Sequence, residues 1–128
     1  MITDSRLANI VRVLAAEGLI VLAALLPSYA IARPISRCVI EVGGTVYLDG
    51  PCNFERFDDG GFSIGTSDLP PRVSPYFAYV NKDGAGSSLA EGYWNEEPAN
   101  THAHTPLGQL KQAGACWVND TARVCAYR

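Results

Sequence analysis

His102 and His104 stand one residue apart in the stretch ANTHAHTPLG, and the chain has no other histidine. In an extended segment residues i and i+2 point to the same side, so the two imidazoles could chelate one metal ion. A stable site needs more ligands. Glu96 and Glu97 are near in sequence, and Asp83 and Glu91 could be brought near by a hairpin, but no spacing selects a third ligand. The sequence therefore predicts neither a metal site nor a cofactor. It leaves His102 and His104 as candidate contact residues.

Just upstream, EGYWNEEPAN sets Tyr93 and Trp94 among Glu91, Glu96 and Glu97. Aromatic side chains supply rigid contact area and carboxylates steer cationic partners, so this stretch could receive a basic protein or stack on a sugar ring. The competing expectation places Trp94 in the core, with the glutamates keeping a turn soluble. The candidate binding residues are Tyr93, Trp94, Glu96, Glu97, His102 and His104.

Catalysis finds less support. Sugar hydrolysis requires two carboxylates about 5 to 9 Å apart across the bond to be cut, and Asp58/Asp59 and Glu96/Glu97 are chain neighbours that face opposite ways when extended. GFSIG, residues 61–65, matches the glycine spacing of a nucleophile elbow around Ser63 but lies in a run that reads as β. No catalytic residue is assigned, and the chain is not expected to be an enzyme.

The four cysteines, Cys38, Cys52, Cys116 and Cys125, are spaced with thirteen and eight residues inside each sequential pair. That is unlike the close pairs of structural zinc sites, and no C-x-x-C is present. An even count in a short chain reads as a disulfide framework. In CWVNDTARVC a four-residue turn, Asn119 to Ala122, would set Val118 opposite Arg123, Trp117 opposite Val124 and Cys116 opposite Cys125. Opposed cysteines on antiparallel strands approach the disulfide Cα separation of about 5.5 Å. Cys38 would then join Cys52, the rival arrangement being bridges between the N- and C-terminal strands.

The first thirty residues read as an export signal. Arg6 and Arg12 precede an apolar run from Gly18 to Leu26, and Pro27, Ser28, Tyr29 and Ala30 offer small positions for cleavage after Ala30 or after Ala32. Val13 to Ala32 could alternatively span a bilayer, but Glu17 and Pro27 weigh against a retained anchor. The expected product is one periplasmic or secreted domain, residues 31–128, with no stable membrane insertion. With net charge −3 and basic residues scattered along the chain, it is not expected to bind nucleic acid, which normally calls for a concentrated basic face.

The elements that would position these residues are short strands. CVIEVGGTVYLDG alternates around Gly43–Gly44 as a hairpin pairing Val42 with Thr45, and CNFERF gives a third segment. DDGG turns the chain into FSIGT, SDLPPRVSP is a proline-rich connection, and YFAYV, SSLAEGYWN and the terminal cysteine hairpin resume the β pattern. Six to eight strands with turns near every ten residues predict a small disulfide-stabilised antiparallel β-sandwich or barrel-like domain. The one exception could be a short helix near 105–113, with Thr105 as N-cap, Pro106 in the first turn and Gly114 as terminator; Gly108 weakens it, and a further strand is the rival reading.

Gly92, Tyr93, Trp94 and the position of Cys116 resemble bacterial periplasmic lysozyme inhibitors. The family's serine-glycine and lysine-glycine elements are not evident around them, so no residue role is carried over. The expected function is a non-enzymatic binding module acting on a protein partner through exposed loops, with inhibition of a basic hydrolase such as lysozyme as one form. The alternatives are a glycan or small-molecule binder using Tyr93, Trp94 and Trp117, and a structural envelope protein without a dedicated pocket.

Overall fold

The computed structural model describes residues 32–66 and 74–128. The expected signal peptide and most of the proline-rich connection lie outside the described residues. Eight strands follow one another: β1 (Arg33–Val42), β2 (Thr45–Arg56), β3 (Phe62–Ile64), β4 (Ala78–Lys82), β5 (Leu89–Trp94), β6 (Thr105–Ala113), β7 (Cys116–Val118) and β8 (Ala122–Tyr127). Each pairs antiparallel with the next, and β8 returns to β1, closing a barrel in simple chain order. Closure removes the free sheet edges on which other chains could pair. Among the described residues no helix is long and apolar enough to cross a membrane.

Alternation decides the inside of the barrel. Cys38 and Ile40 on β1, Ala78 and Val80 on β4, and Val124 on β8 are fully buried and join Ile64, Leu110, Phe54 and Trp94 in one core. Val39, between two inward residues, points the other way and packs with Cys116 and Cys125 in a small outer cluster covered by Val118 and Tyr127. The two disulfides therefore sit on opposite faces of the barrel wall. Cys38–Cys52 joins β1 to β2 in the main core, and Cys116–Cys125 staples β7 to β8 across directly paired residues with a Cα separation of 4.0 Å. The pairing Cys116–Cys125, Trp117–Val124 and Val118–Arg123 is the register expected from the sequence. So is Val42 opposite Thr45 at the Gly43–Gly44 turn.

Two expectations are corrected. CNFERF is not a separate segment: β2 runs unbroken for 12 residues, and register shifts against β1 at Ile35/Cys38 and at Ile40/Glu41 let this long pair bend around the barrel. The segment 105–113 is β6 and not a helix. Gly92 pairs with Gly108 while Tyr93 pairs with Pro106, so Leu107 is an extra residue in a bulge. An extra residue resets the in/out parity, which turns both Leu107 and Leu110 into the core at a spacing of three. The same spacing, read without a bulge, imitates a helix. Gly108 takes φ +85° beside the bulge, a conformation that suits glycine. Opposite it, a Cβ on Gly92 would come within 2.6 Å of Leu110 Cδ1, so the absent side chain of Gly92 is the space that Leu110 fills.

Candidate functional site

An up-and-down barrel has two ends. The upper one carries the turn at 43–44, the described residues that follow β3 and precede β4 (65–66 and 74–77), the β5–β6 loop at 95–104 and the turn at 119–121. The lower one carries the start of β1, the turns at 57–61, 83–88 and 114–115, and the end of β8. Glu96, Glu97, His102 and His104 all belong to the β5–β6 loop at the upper end, with Tyr93 and Trp94 leading into it.

Trp94 does not reach the surface. It is 4% exposed, with its ring 4.7 Å from Tyr47 and 6.1 Å from Tyr76, forming an aromatic plug at the top of the core. That burial removes Trp94 from sugar stacking, and Trp117, 5% exposed, belongs to the same core and meets solvent only where it lines a cavity at the lower end. Tyr93 points outward, half-buried, opposite Tyr79 on β4.

Asn95, which the sequence did not single out, holds the loop. It is 1% exposed. Its Oδ1 accepts from the Phe77 N–H at 3.0 Å, and its Nδ2 donates to the carbonyls of Pro75 and Glu97 at 2.8 and 2.9 Å. The Asn95 carbonyl in turn accepts from Asn100 Nδ2 at 2.9 Å and from the Glu97 N–H at 2.6 Å. One buried amide thus ties the loop both to itself and to the residues leading into β4. A buried donor or acceptor left unmet costs about 1 to 3 kcal/mol, so the residue cannot be exchanged cheaply. The cue in the sequence was an amide closing a strand and followed by EEPAN, but nothing local distinguishes it from the exposed Asn100.

On this fixed loop Glu96 and Glu97 are exposed. Glu96 adopts φ 62°, uncommon for a residue with a side chain, and its carboxylate accepts from Thr105 Oγ1 at 2.9 Å. The two ion pairs among the described residues are Arg37–Asp49 and Arg123–Glu41, so neither Glu96 nor Glu97 has a cationic partner there. His102 and His104 are also exposed, their ring centroids 5.2 Å apart, with His102 Nδ1 3.1 Å from Thr101 Oγ1. Of the carboxylates considered as a third ligand, Asp83 belongs to the opposite end, Glu91 lies mid-strand opposite Gln109, and Glu96 is engaged with Thr105. Among the described residues no three His, Cys, Asp or Glu side chains gather to hold a metal.

The basic residues tell a different story from their scattering in sequence. Arg37 is fixed by Asp49 at 2.8 Å, with its guanidinium 5.1 Å from the Tyr127 ring centroid. That hydrogen bond, with the attraction between the charges, raises the Arg37 pKa, and the hydrogen bond from Arg37 holds the Asp49 carboxyl below its ordinary value. By contrast Arg33, Arg56, Lys82 and Arg128, drawn from four distant parts of the chain, line two adjoining cavities at the lower end. The larger is a groove open to solvent, of about 790 Å³.

The class defined by these features is a closed, eight-stranded antiparallel barrel with a disulfide on each face of its wall and a charged loop cluster at each end. No family model matches the chain, and no curated protein or solved structure matches it either.

Proposed function

We propose that the protein is an exported, non-enzymatic binding module whose β5–β6 loop engages a basic protein surface, and that a cationic hydrolase of the lysozyme type is a partner of suitable chemistry. The observation that carries this reading is the pair Glu96 and Glu97, exposed and without a cationic partner among the described residues, on a loop whose backbone is pinned by Asn95. A loop already ordered before binding loses little further freedom on association. Its carboxylates draw a cationic partner in and set its orientation, an effect that salt screens. Half-buried Tyr93 lies at the foot of the same loop and offers aromatic contact area beside the charges.

The test is a lysis assay with binding calorimetry, in which the purified protein is titrated against a panel of basic muramidases. Suppression of lysis is expected, weakening with added salt and in the double variant Glu96→Gln, Glu97→Gln; no suppression by the wild type across the panel would sink the proposal. Export is tested separately by the N-terminus of the protein recovered from its native source. Material starting at Ile31 or Arg33 agrees with it, and an intact Met1 opposes it.

A further inference from the structure

We infer that the lower end of the barrel is a second binding site, for an amphiphilic anion that pairs a phosphoryl group with an apolar chain. Four cations converge there from β1, β2, β4 and the residue after β8: Arg33, Arg56, Lys82 and Arg128. None lies within ion-pair distance of a carboxylate among the described residues, whereas Arg37 and Arg123, on the outer wall, each have one. The acidic residues of the same end, Glu55, Asp58, Asp59 and Asp83, make no direct ion pair with them, and Asp59 accepts from the Gly61 N–H at 2.8 Å. Clustered like charges that lack a direct ion pair are relieved by an incoming anion.

The charge count selects the head group. The larger cavity is lined by three guanidiniums, Arg33, Arg56 and Arg128, with the Lys82 ammonium in its neighbour; three cations exceed what one carboxylate can use, while a phosphomonoester brings a charge of about −2 and three acceptor oxygens matched to the arginine fork. Cavity size and floor select the rest. About 790 Å³ is far more than a bare phosphate fills, and falls among the volumes typical of small-molecule sites. Ile35 and Phe54 line that cavity, and Phe62 and Trp117 line its neighbour. Two of the cations already rest against this aromatic floor: Lys82 Nζ is 5.9 Å from the Trp117 centroid, and the Arg128 guanidinium is 5.0 Å from that of Phe54. Phe54 and Ile35 are themselves only 5% and 9% exposed, so an alkyl chain finds its apolar contacts mainly along Pro34, Ala115 and Ala126 of the same cavity, with the charges at one end of its length.

The experiment is calorimetric titration of the whole protein with octyl phosphate below its micellar concentration, with inorganic phosphate and with neutral octyl glucoside, while the Trp117 indole N–H is followed by NMR. Octyl phosphate is expected to bind saturably, about tenfold or more tighter than either control, and to shift the Trp117 signal. The double variant Arg56→Gln, Arg128→Gln is expected to lose about tenfold in affinity, and Arg33→Gln provides an independent check should that variant misfold. Glu96→Gln, Glu97→Gln is expected to change nothing at this end. Vesicles of phosphatidylglycerol against phosphatidylcholine distinguish the source: retention on the anionic vesicles together with octyl phosphate binding assigns a lipid head group, and octyl phosphate binding alone assigns a soluble ligand. Equal affinity for inorganic phosphate, vesicle retention without octyl phosphate binding, or binding indifferent to the arginine variants would each overturn the inference.

Discussion

The two ends of the barrel are built alike underneath and finished differently. Each has a tryptophan among aromatic neighbours: Trp94 with Tyr47 and Tyr76 above, and Trp117 with Phe54 and Phe62 lining the cavity below. Above, the long β5–β6 loop follows Trp94 and is held by Asn95. Below, the connections are short, and the cavities beside equally buried aromatics are lined by cations. The two ends thus differ in chain and charge and not in how well their aromatics are packed. A long connection with one buried polar anchor displays an acidic loop; short connections leave a basic groove.

The largest effect should come from the layer the two ends share. Leu110→Ala empties a fully buried position between them, and a loss of about 2 to 5 kcal/mol in chemical denaturation is expected. Both ends should loosen together; a loss confined to one would show that they fold independently. Asn95→Ala should separate them. It strands the Phe77 N–H and the Pro75 carbonyl, at about 1 to 3 kcal/mol each where they remain dry, and amide exchange should rise at 95–104 while the Trp117 region stays protected. Unaltered exchange in the loop would remove Asn95 from its assigned role.

Exchanging charges should leave folding nearly untouched and alter binding. Glu96→Gln, Glu97→Gln is expected to weaken a basic partner by about tenfold, roughly 1.4 kcal/mol, while changing stability by less than about 0.5 kcal/mol, as exposed sites do. The arginine variants of the lower end should have no effect on that partner. The smallest effect belongs to the wall between the ends. Because Arg37 lowers the Asp49 pKa, the contribution of this carboxylate to stability is present above the ordinary aspartate range and is lost as pH falls through its lowered value. Asp49→Asn should thus lower Tm slightly at neutral pH, and the gap from the wild type should close in acid; a gap that widened in acid would reverse the assignment. Both groups are about half exposed, so salt should shrink it further.

The fold was legible where signals are local. Gly43–Gly44 and the eight residues between Cys116 and Cys125 fix their own hairpins, because a two-residue turn and a pair of opposable cysteines leave few registers. The segment β6 allowed a helix because Thr105, Pro106 and Gly114 stand where an N-cap, a first-turn proline and a terminator would, and only the pairing partner, Gly92 against Gly108, decides for the strand. Asn95 was missed because its importance lies in its contacts with Phe77 and Pro75, some twenty positions away. The basic mouth was invisible for a stronger reason: Arg33, Arg56, Lys82 and Arg128 become neighbours only when β8 closes on β1 and every second turn falls at the same end. The acidic loop, by contrast, could be read directly, since Glu96 and Glu97 are adjacent in the chain; what the structure adds is that Trp94 beside them faces the core.

The most direct test of the account is the Kd of a basic muramidase for the wild-type protein and for Glu96→Gln, Glu97→Gln, measured side by side at low and at physiological salt. Measurable binding by the wild type is expected, with about tenfold loss in the double variant and a salt dependence that is shallower once the two charges are gone. An affinity and salt dependence identical in the two proteins would remove Glu96 and Glu97 from the binding surface.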